Sequence, residues 1–420
     1  MSGTAAVVTQ KLPDSTPSET PLPRRDWVLL PLLSVVTIAI LAISVEVTAR
    51  RMFSRLTTKP ADCMILSDDP SVYPRGIPRC ECWSKVSEGE LTNYRFNSDG
   101  YRMDQDFGPK PPGVYRIVLL GTSNTFGAQV PRPETFAGLL PDALARKTGM
   151  KVEVYNQAMT DEYPSVLAAH FDEALKFKPD MILWTVNQTE LKPLGIVTAP
   201  VKPSKADTDV SFAAKVSGMY MRMRVALTKA SFADYIANGF RTRTVAPTVL
   251  SHYIYGSSSQ HMKALLAMPE WSVGYLRTEP SAAWHEWLTN FDRDYAKIAA
   301  QAKHAGIPLV VTVVPKQEVA LMLAMGEWPS GYDPYKMGDE MRRIVESHGG
   351  TFIDILPDIR SRLYPGQEVP YLRVEGHLNA QGQAMISDIL LRKLTSGAVP
   401  ALSHAAAPAL APAQTQARRN

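Results

Sequence analysis

Ser123 lies in Gly121-Thr122-Ser123-Asn124-Thr125-Phe126-Gly127, a glycine-flanked turn directly after an apolar run at 115–120. A hydroxyl held in such a turn, at the mouth of a helix, sits where backbone N–H groups can stabilise an oxyanion. His377 lies near the other end of the chain, in Glu375-Gly376-His377-Leu378-Asn379-Ala380-Gln381-Gly382, just before the final helical stretch. Imidazole is the side chain best suited to general-base work near neutral pH. Glu375, two residues earlier in an extended loop, points to the same side and can hold the second ring nitrogen. Two further segments, Asn156-Gln157-Ala158-Met159 and Thr185-Val186-Asn187-Gln188, end apolar runs of their own. A carboxamide at a strand end can donate N–H to an oxyanion, although a lone Asn equally serves as a turn or helix cap. Together these residue types suit acyl transfer through serine. His377 takes the Ser123 proton, an acyl-serine forms, and water or a sugar hydroxyl receives the acyl group.

Several other chemistries are excluded. The Ser123 turn is not a Gly-x-Ser-x-Gly elbow, and no Lys completes a phosphate-binding loop. The net charge of +4 is scattered, with no basic stripe interleaved with aromatics, so nucleic acid is not an expected partner. Cys80 and Cys82 are too close together for a tetrahedral metal pair, and no metal or organic cofactor is expected. A disulfide from Cys63 to one of the other two, or three free thiols, both stay open. The other seven histidines have no setting comparable to His377 and read as structural or solvated.

The elements that must position Ser123 and His377 follow an α/β alternation. Strands are expected at 115–120, 152–155, 181–186, 309–314 and 352–355, and helices at 135–147, 165–176, 292–304 and 339–348. Continuous β-branched runs separated by helices imply a five-stranded parallel sheet covered on both faces, a three-layer α/β/α arrangement of flavodoxin-like type. In such sheets ligands bind beyond the carboxyl ends of the strands, the rim on which all four segments fall. An insertion at about 194–290 is too long for a simple crossover. Its segments 219–224 and 284–287 read as core-facing helical stripes, with a cleft lining as the alternative.

Outside this domain, 1–26 reads as a disordered Ser/Thr/Pro tail and 27–48 as a transmembrane helix of bilayer-spanning length. Residues 49–92 read as an extracytoplasmic linker, 93–396 as the catalytic domain, and 397–420 as a disordered Ala/Pro tail. Arg24 and Arg25 on one side of the span nearly cancel Arg50, Arg51 and Arg55 on the other, so charge does not fix orientation. The expected placement is a single-pass protein with its domain outside the cytoplasm.

The four segments, in this order, resemble the blocks of the SGNH (GDSL) hydrolase superfamily. Tyr94-Arg95-Phe96-Asn97-Ser98-Asp99-Gly100-Tyr101-Arg102 is similar to a segment that often precedes the domain in bacterial members. The resemblance covers roughly 93–394, the insertion excepted. It implies Ser123 as nucleophile and His377 as base, with an oxyanion hole of the Ser123 N–H, the Ala158 N–H and the Asn187 side chain. It also implies acyl-ester chemistry on sugars or lipids, as in membrane-tethered polysaccharide O-acetyltransferases, with a membrane partner as a possible acyl donor.

The sequence departs from the pattern at Thr122, Ala158, Thr185, Gln188 and Val374. Because Val374 stands where the acid is usual, the acid is Glu375 or Asp354. The departures keep a second reading in play, a degenerate domain that binds glycan or scaffolds an envelope complex. Nothing in the sequence separates hydrolase from transferase.

Overall fold

The computed structural model describes residues 23, 25–52, 63–65, 73–160, 162–193 and 245–403. The expected N-terminal tail, the 219–224 stripe and the end of the chain from 404 lie outside them.

Two units are present. The first is a helix, α1 (Asp26–Met52), with a mean hydropathy of 2.7 over its most apolar window and none of that window buried. It is long and apolar enough to cross a membrane, and it exceeds the 27–48 expected.

The second unit opens with two small antiparallel ladders, where the sequence suggested only a linker. The first pairs β1 (Met64–Ile65) with β2 (Arg75–Gly76); the second pairs β3 (Glu81–Ser84) with β4 (Thr92–Arg95). Cys63 is bonded to Cys80, and Cys82 is buried outside that bond, which resolves the alternatives left by the cysteine count.

The main sheet holds β5 (Val114–Gly121), β6 (Lys151–Asn156), β7 (Met181–Val186), β8 (Leu309–Val313) and β9 (Thr351–Ile353). All neighbours are parallel, in the spatial order β6-β5-β7-β8-β9. Every residue of β7 and β8 is buried, as expected of strands with both faces covered. The order reverses direction between β5 and β7, so the ligand crevice of this topology lies beyond the ends of those two strands.

Helices cover both faces. The nucleophile turn forms a short α2 (Ser123–Phe126), followed by α3 (Phe136–Thr148) and α4 (Pro164–His170). The later helices are α5 (Ala246–Ile254), α6 (Ser258–Leu266), α7 (Ala282–Ala305), α8 (Gln317–Met325), α9 (Lys336–Ser347) and α10 (Ala380–Lys393). One layer packs α3 on α10; the other sets α7 between α4 and α9. Local chemistry bounds them: Thr135 caps α3 by accepting from the Gly138 N–H, and Gly149 ends it in the left-handed region at φ 73°.

α7 starts inside the stretch expected as insertion. Its stripe of Trp284, Trp287, Phe291, Tyr295 and Ile298 is buried, and Trp184 of β7 stacks on Tyr295 with ring centroids 6.1 Å apart. The 284–287 segment is therefore core and not a cleft wall. At the other end, Val399 and Leu402 are buried, so the chain stays packed through a short helix at Pro400–Ser403 and the tail expected from 397 starts later.

Candidate active site

β5 leads into the turn that carries Ser123, the candidate nucleophile. Gly121 ends the strand at φ +150°, and a Cβ there would lie 2.4 Å from the hydroxyls of both Thr125 and Thr185. No larger residue fits this turn. Ser123 is the first residue of α2, where first-turn N–H groups have no intrahelical acceptor. It is half-buried, and its hydroxyl makes no hydrogen bond among the described residues.

The far end of α2 is held by Arg102, whose guanidinium donates to the carbonyls of Phe126 (3.0 Å), Gly127 and Val130 (2.8 Å) while lying 4.3 Å from the centre of the Tyr94 ring. Burial pushes this guanidinium down to about 10, which still leaves it charged at neutral pH. Asn97 turns the chain toward it by accepting from the N–H groups of Asp99 and Tyr101. The segment before the domain thus forms the floor under the nucleophile helix.

His377, the candidate base, lies in a loop closed by a bridge between Tyr371 and Leu378, just before α10. Leu372 N–H donates to the His377 carbonyl at 2.8 Å, and Gly376 N–H donates to the Leu372 carbonyl at 2.7 Å. His377 Nδ1 lies 2.7 Å from both carboxylate oxygens of Glu375, leaving Nε2 as the nitrogen available to a nucleophile.

This loop is fastened to the nucleophile turn. Leu378 N–H donates to Asn124 Oδ1 at 3.1 Å, Gln383 Nε2 donates to the Asn124 carbonyl at 2.9 Å, and Gln383 Oε1 accepts from Phe136 N–H at 2.9 Å. The residue after His377 is bonded to the residue after Ser123, so the two segments share one rim. Asp354, the other candidate acid, is paired with Arg342 and accepts from Leu356 N–H, which leaves Glu375 as the partner of His377.

Asn187 follows β7 across the crevice. Its Oδ1 accepts from the Thr189 N–H (3.0 Å) and the Thr189 hydroxyl (2.9 Å), which orients the amide and leaves Nδ2 as its donor. Ala158 differs: its N–H donates to Asn156 Oδ1 at 3.1 Å, within its own turn. Asn156 in turn donates from Nδ2 to the Thr125 carbonyl at 2.9 Å, so this block ties β6 to α2. Among the described residues of this rim, the donors without an internal acceptor are the N–H at the head of α2 and Asn187 Nδ2.

Two of the departures, Thr122 and Thr185, are each met by another side chain. Thr122 donates to the carboxylate of Glu190, and Thr185 shares a hydrogen bond with Thr125 while donating to the Leu120 carbonyl at 3.1 Å. Glu190 also accepts from the Asn187 N–H at 3.0 Å, completing a capping box. Burial pushes Glu190 up to about 8, against the pull of its two donors. Glu162 behaves likewise: burial holds it at about 8, against the pull of the Tyr73 hydroxyl, which donates to it at 2.7 Å, and of the backbone at Gly121 and Met159.

Sequence reasoning missed Glu190, although Asn-x-x-Glu is a readable capping box. It also missed Glu88, for which the sequence holds no signal. Glu88, in the β3–β4 connection and 4% exposed, accepts from the N–H groups of Val374 (2.8 Å) and Glu375 (3.1 Å) and bonds His252 of α5.

No family model and no curated protein matches the chain. Solved structures similar to it include an acetyl-xylooligosaccharide esterase from Geobacillus Stearmophilus (11% identity, 67% of this chain and 94% of that one, TM-score 0.35). An acetyl xylan esterase matches at 12% identity over 66% of this chain and 97% of the other, TM-score 0.35. A lipase/acylhydrolase from Enterococcus faecalis matches at 12% identity over 67% and 96%, TM-score 0.33. At such identities and scores the likeness assigns no activity to this chain. What stands by direct observation is a three-layer α/β/α domain whose parallel sheet carries a serine turn, a Glu-held histidine and an oriented asparagine on one rim.

Proposed function

We propose that this protein is a membrane-tethered serine esterase of SGNH type that cleaves an acyl ester through an acyl-Ser123 intermediate. The observation that carries the reading is the bond from Leu378 N–H to Asn124 Oδ1, which links the Glu375–His377 pair to the nucleophile turn. In this reading His377 Nε2 takes the Ser123 proton as the hydroxyl oxygen attacks the ester carbonyl. The head of α2 and Asn187 Nδ2 hold the oxyanion, and the imidazolium, steadied by Glu375, protonates the leaving alkoxide. Water then attacks the acyl-serine in the reverse sense, and a sugar hydroxyl in its place makes the same machinery an acyltransferase. The domain works outside the cytoplasm, on an envelope glycan or lipid. The Cys63–Cys80 bond supports that placement, since disulfides persist in oxidising compartments.

Labelling of the full chain by a fluorophosphonate, with turnover of a short aryl ester, tests the chemistry. Ser123→Ala and His377→Ala are each expected to abolish labelling and to lower kcat/KM on the order of 10⁴-fold or more. Full-length protein that neither labels nor turns over any ester, with or without glycan acceptors, supports instead a binding domain built on the same frame. Protease digestion of spheroplasts tests the placement; protection of the domain would contradict it.

A further inference from the structure

A second concavity adjoins the catalytic loop. It measures about 220 Å³, and its wall includes Tyr371 and Arg373, on the arm of the loop that leads into His377. Gln317 joins the two: it lines the cavity, donates from Nε2 to the Leu372 and Arg373 carbonyls (3.4 and 3.2 Å), and its Oε1 lies 3.8 Å from where a Gly376 side chain would begin.

The lining is polar and unfinished. His261, on α6, is 3% exposed, stacks flat on Tyr255 at 4.6 Å, and its Nε2 has no partner among the described residues. Gln367 Oε1, also in the wall, is buried and equally without one. Buried polar atoms left unpaired are costly, so their appearance as a pair in one cavity points to something that completes them.

The chemistry of the walls narrows what that is. A fatty acyl chain is disfavoured, because only Leu321 and Val369 of the wall are aliphatic and the chain would leave His261 Nε2 and Gln367 Oε1 unpaired. A carboxylate or phosphate is disfavoured too. Arg373 is already matched by Glu368 at 2.7 Å and donates to the His252 carbonyl, and burial pushes His261 down to about 4, so its imidazole is neutral. A small neutral group with several hydroxyls satisfies both a neutral imidazole nitrogen and an amide oxygen, since each hydroxyl donates and accepts.

We infer that this cavity is a binding site for an uncharged sugar residue, held by His261 and Gln367 beside the catalytic loop, and that it selects an acylated glycan over an acylated lipid. The inference rests on the esterase reading for its role but not for its existence. The site comes partly from α6, beyond the undescribed stretch of the insertion, and that is where specificity can be added to a common catalytic frame.

The test uses the full chain in detergent and two readouts. First, kcat/KM is compared for phenyl acetate and for mono-acetylated methyl glycosides of glucose, galactose, mannose and N-acetylglucosamine. His261→Phe and Gln367→Met are each expected to lower the glycoside-to-phenyl ratio roughly tenfold, the loss of about one buried hydrogen bond. His261→Gln, which keeps a polar group, is expected to recover part of it. Second, saturation-transfer NMR is run on Ser123→Ala with the same glycosides unacetylated. Binding is expected, and it is expected to vanish on adding His261→Phe, with thermal unfolding as the control for folding.

Sugar binding lost with His261 while no ester is ever turned over would keep the site and remove the esterase. Equal losses on both ester types, sugar signals that survive His261→Phe, or no signal from any glycoside would overturn the site while leaving the esterase standing. Preference for a long-chain acyl phenyl ester that neither variant changes would overturn it as well.

Discussion

Glu375 touches His377 Nδ1 with both carboxylate oxygens, whereas Asp354 spends its own on Arg342 and the Leu356 N–H. Removing the Glu375 charge without changing its shape leaves the imidazole free to take the wrong tautomer. Glu375→Gln is therefore expected to lower kcat/KM for an aryl acetate by roughly 10³–10⁴-fold, and Asp354→Asn by less than tenfold. Equal losses would return the acid to an open choice. The buried carboxyls predict a pH dependence of stability. Glu162 and Glu190 are both raised from 4.5 to about 8, so the folded state keeps protons that the unfolded chain gives up. Their contribution is complete below about pH 4.5 and is lost as pH rises through 8. Tm is expected to fall across that window, and Glu190→Gln, which cannot ionise, should flatten the fall; an unchanged slope in that variant would contradict the assignment. Ser123 and Asn187 were readable because each follows a strand in its own short block, and His377 because its block opens the final helix. Glu88 was not, because its work is done on backbone N–H groups of a loop 286 residues away, a relation that no local pattern encodes.

At the scale of elements, the site depends on how β5 passes into α2. Gly121 permits that passage because the Thr125 and Thr185 hydroxyls fill the space where a side chain would sit. Gly121→Ala combines an unfavourable φ with backbone and hydroxyl clashes, and is expected to destabilise the domain by about 2–4 kcal/mol. Denaturant unfolding measures this, and a change under 1 kcal/mol would mean that the turn relaxes more easily than its packing implies. The sheet was legible from continuous apolar runs, and four helices from their periodicity, although α7 begins well before the 292 expected and the helix expected at 165–176 is broken at Phe171 into α4 and a short turn at Asp172–Leu175. Ser281 and Pro280 mark the first boundary in retrospect. The β3–β4 ladder was hidden because its strands are only four residues each and a polar connection separates them.

For the whole molecule, the small ladders and the large sheet belong to one compact unit. The Cys63–Cys80 bond closes a separation of 17 residues, which corresponds to about 3 kcal/mol of unfolded-chain entropy. Reduction is expected to lower stability by roughly that amount under mild thiol treatment; no shift would show that this region unfolds independently of the rest. Composition alone suggested a linker here, since short strands, prolines and few aliphatics look alike whether or not they are packed.

Arg102 grips the helix that bears the serine, and Glu88 grips the loop that bears the histidine, yet both precede the first long strand. For anyone trimming this gene to an expressible fragment, the conventional cut just before Val114 would keep every reactive side chain and discard both clamps. The smallest piece worth assaying begins upstream of Cys63, and a silent shorter fragment would say nothing about the chemistry of the intact protein.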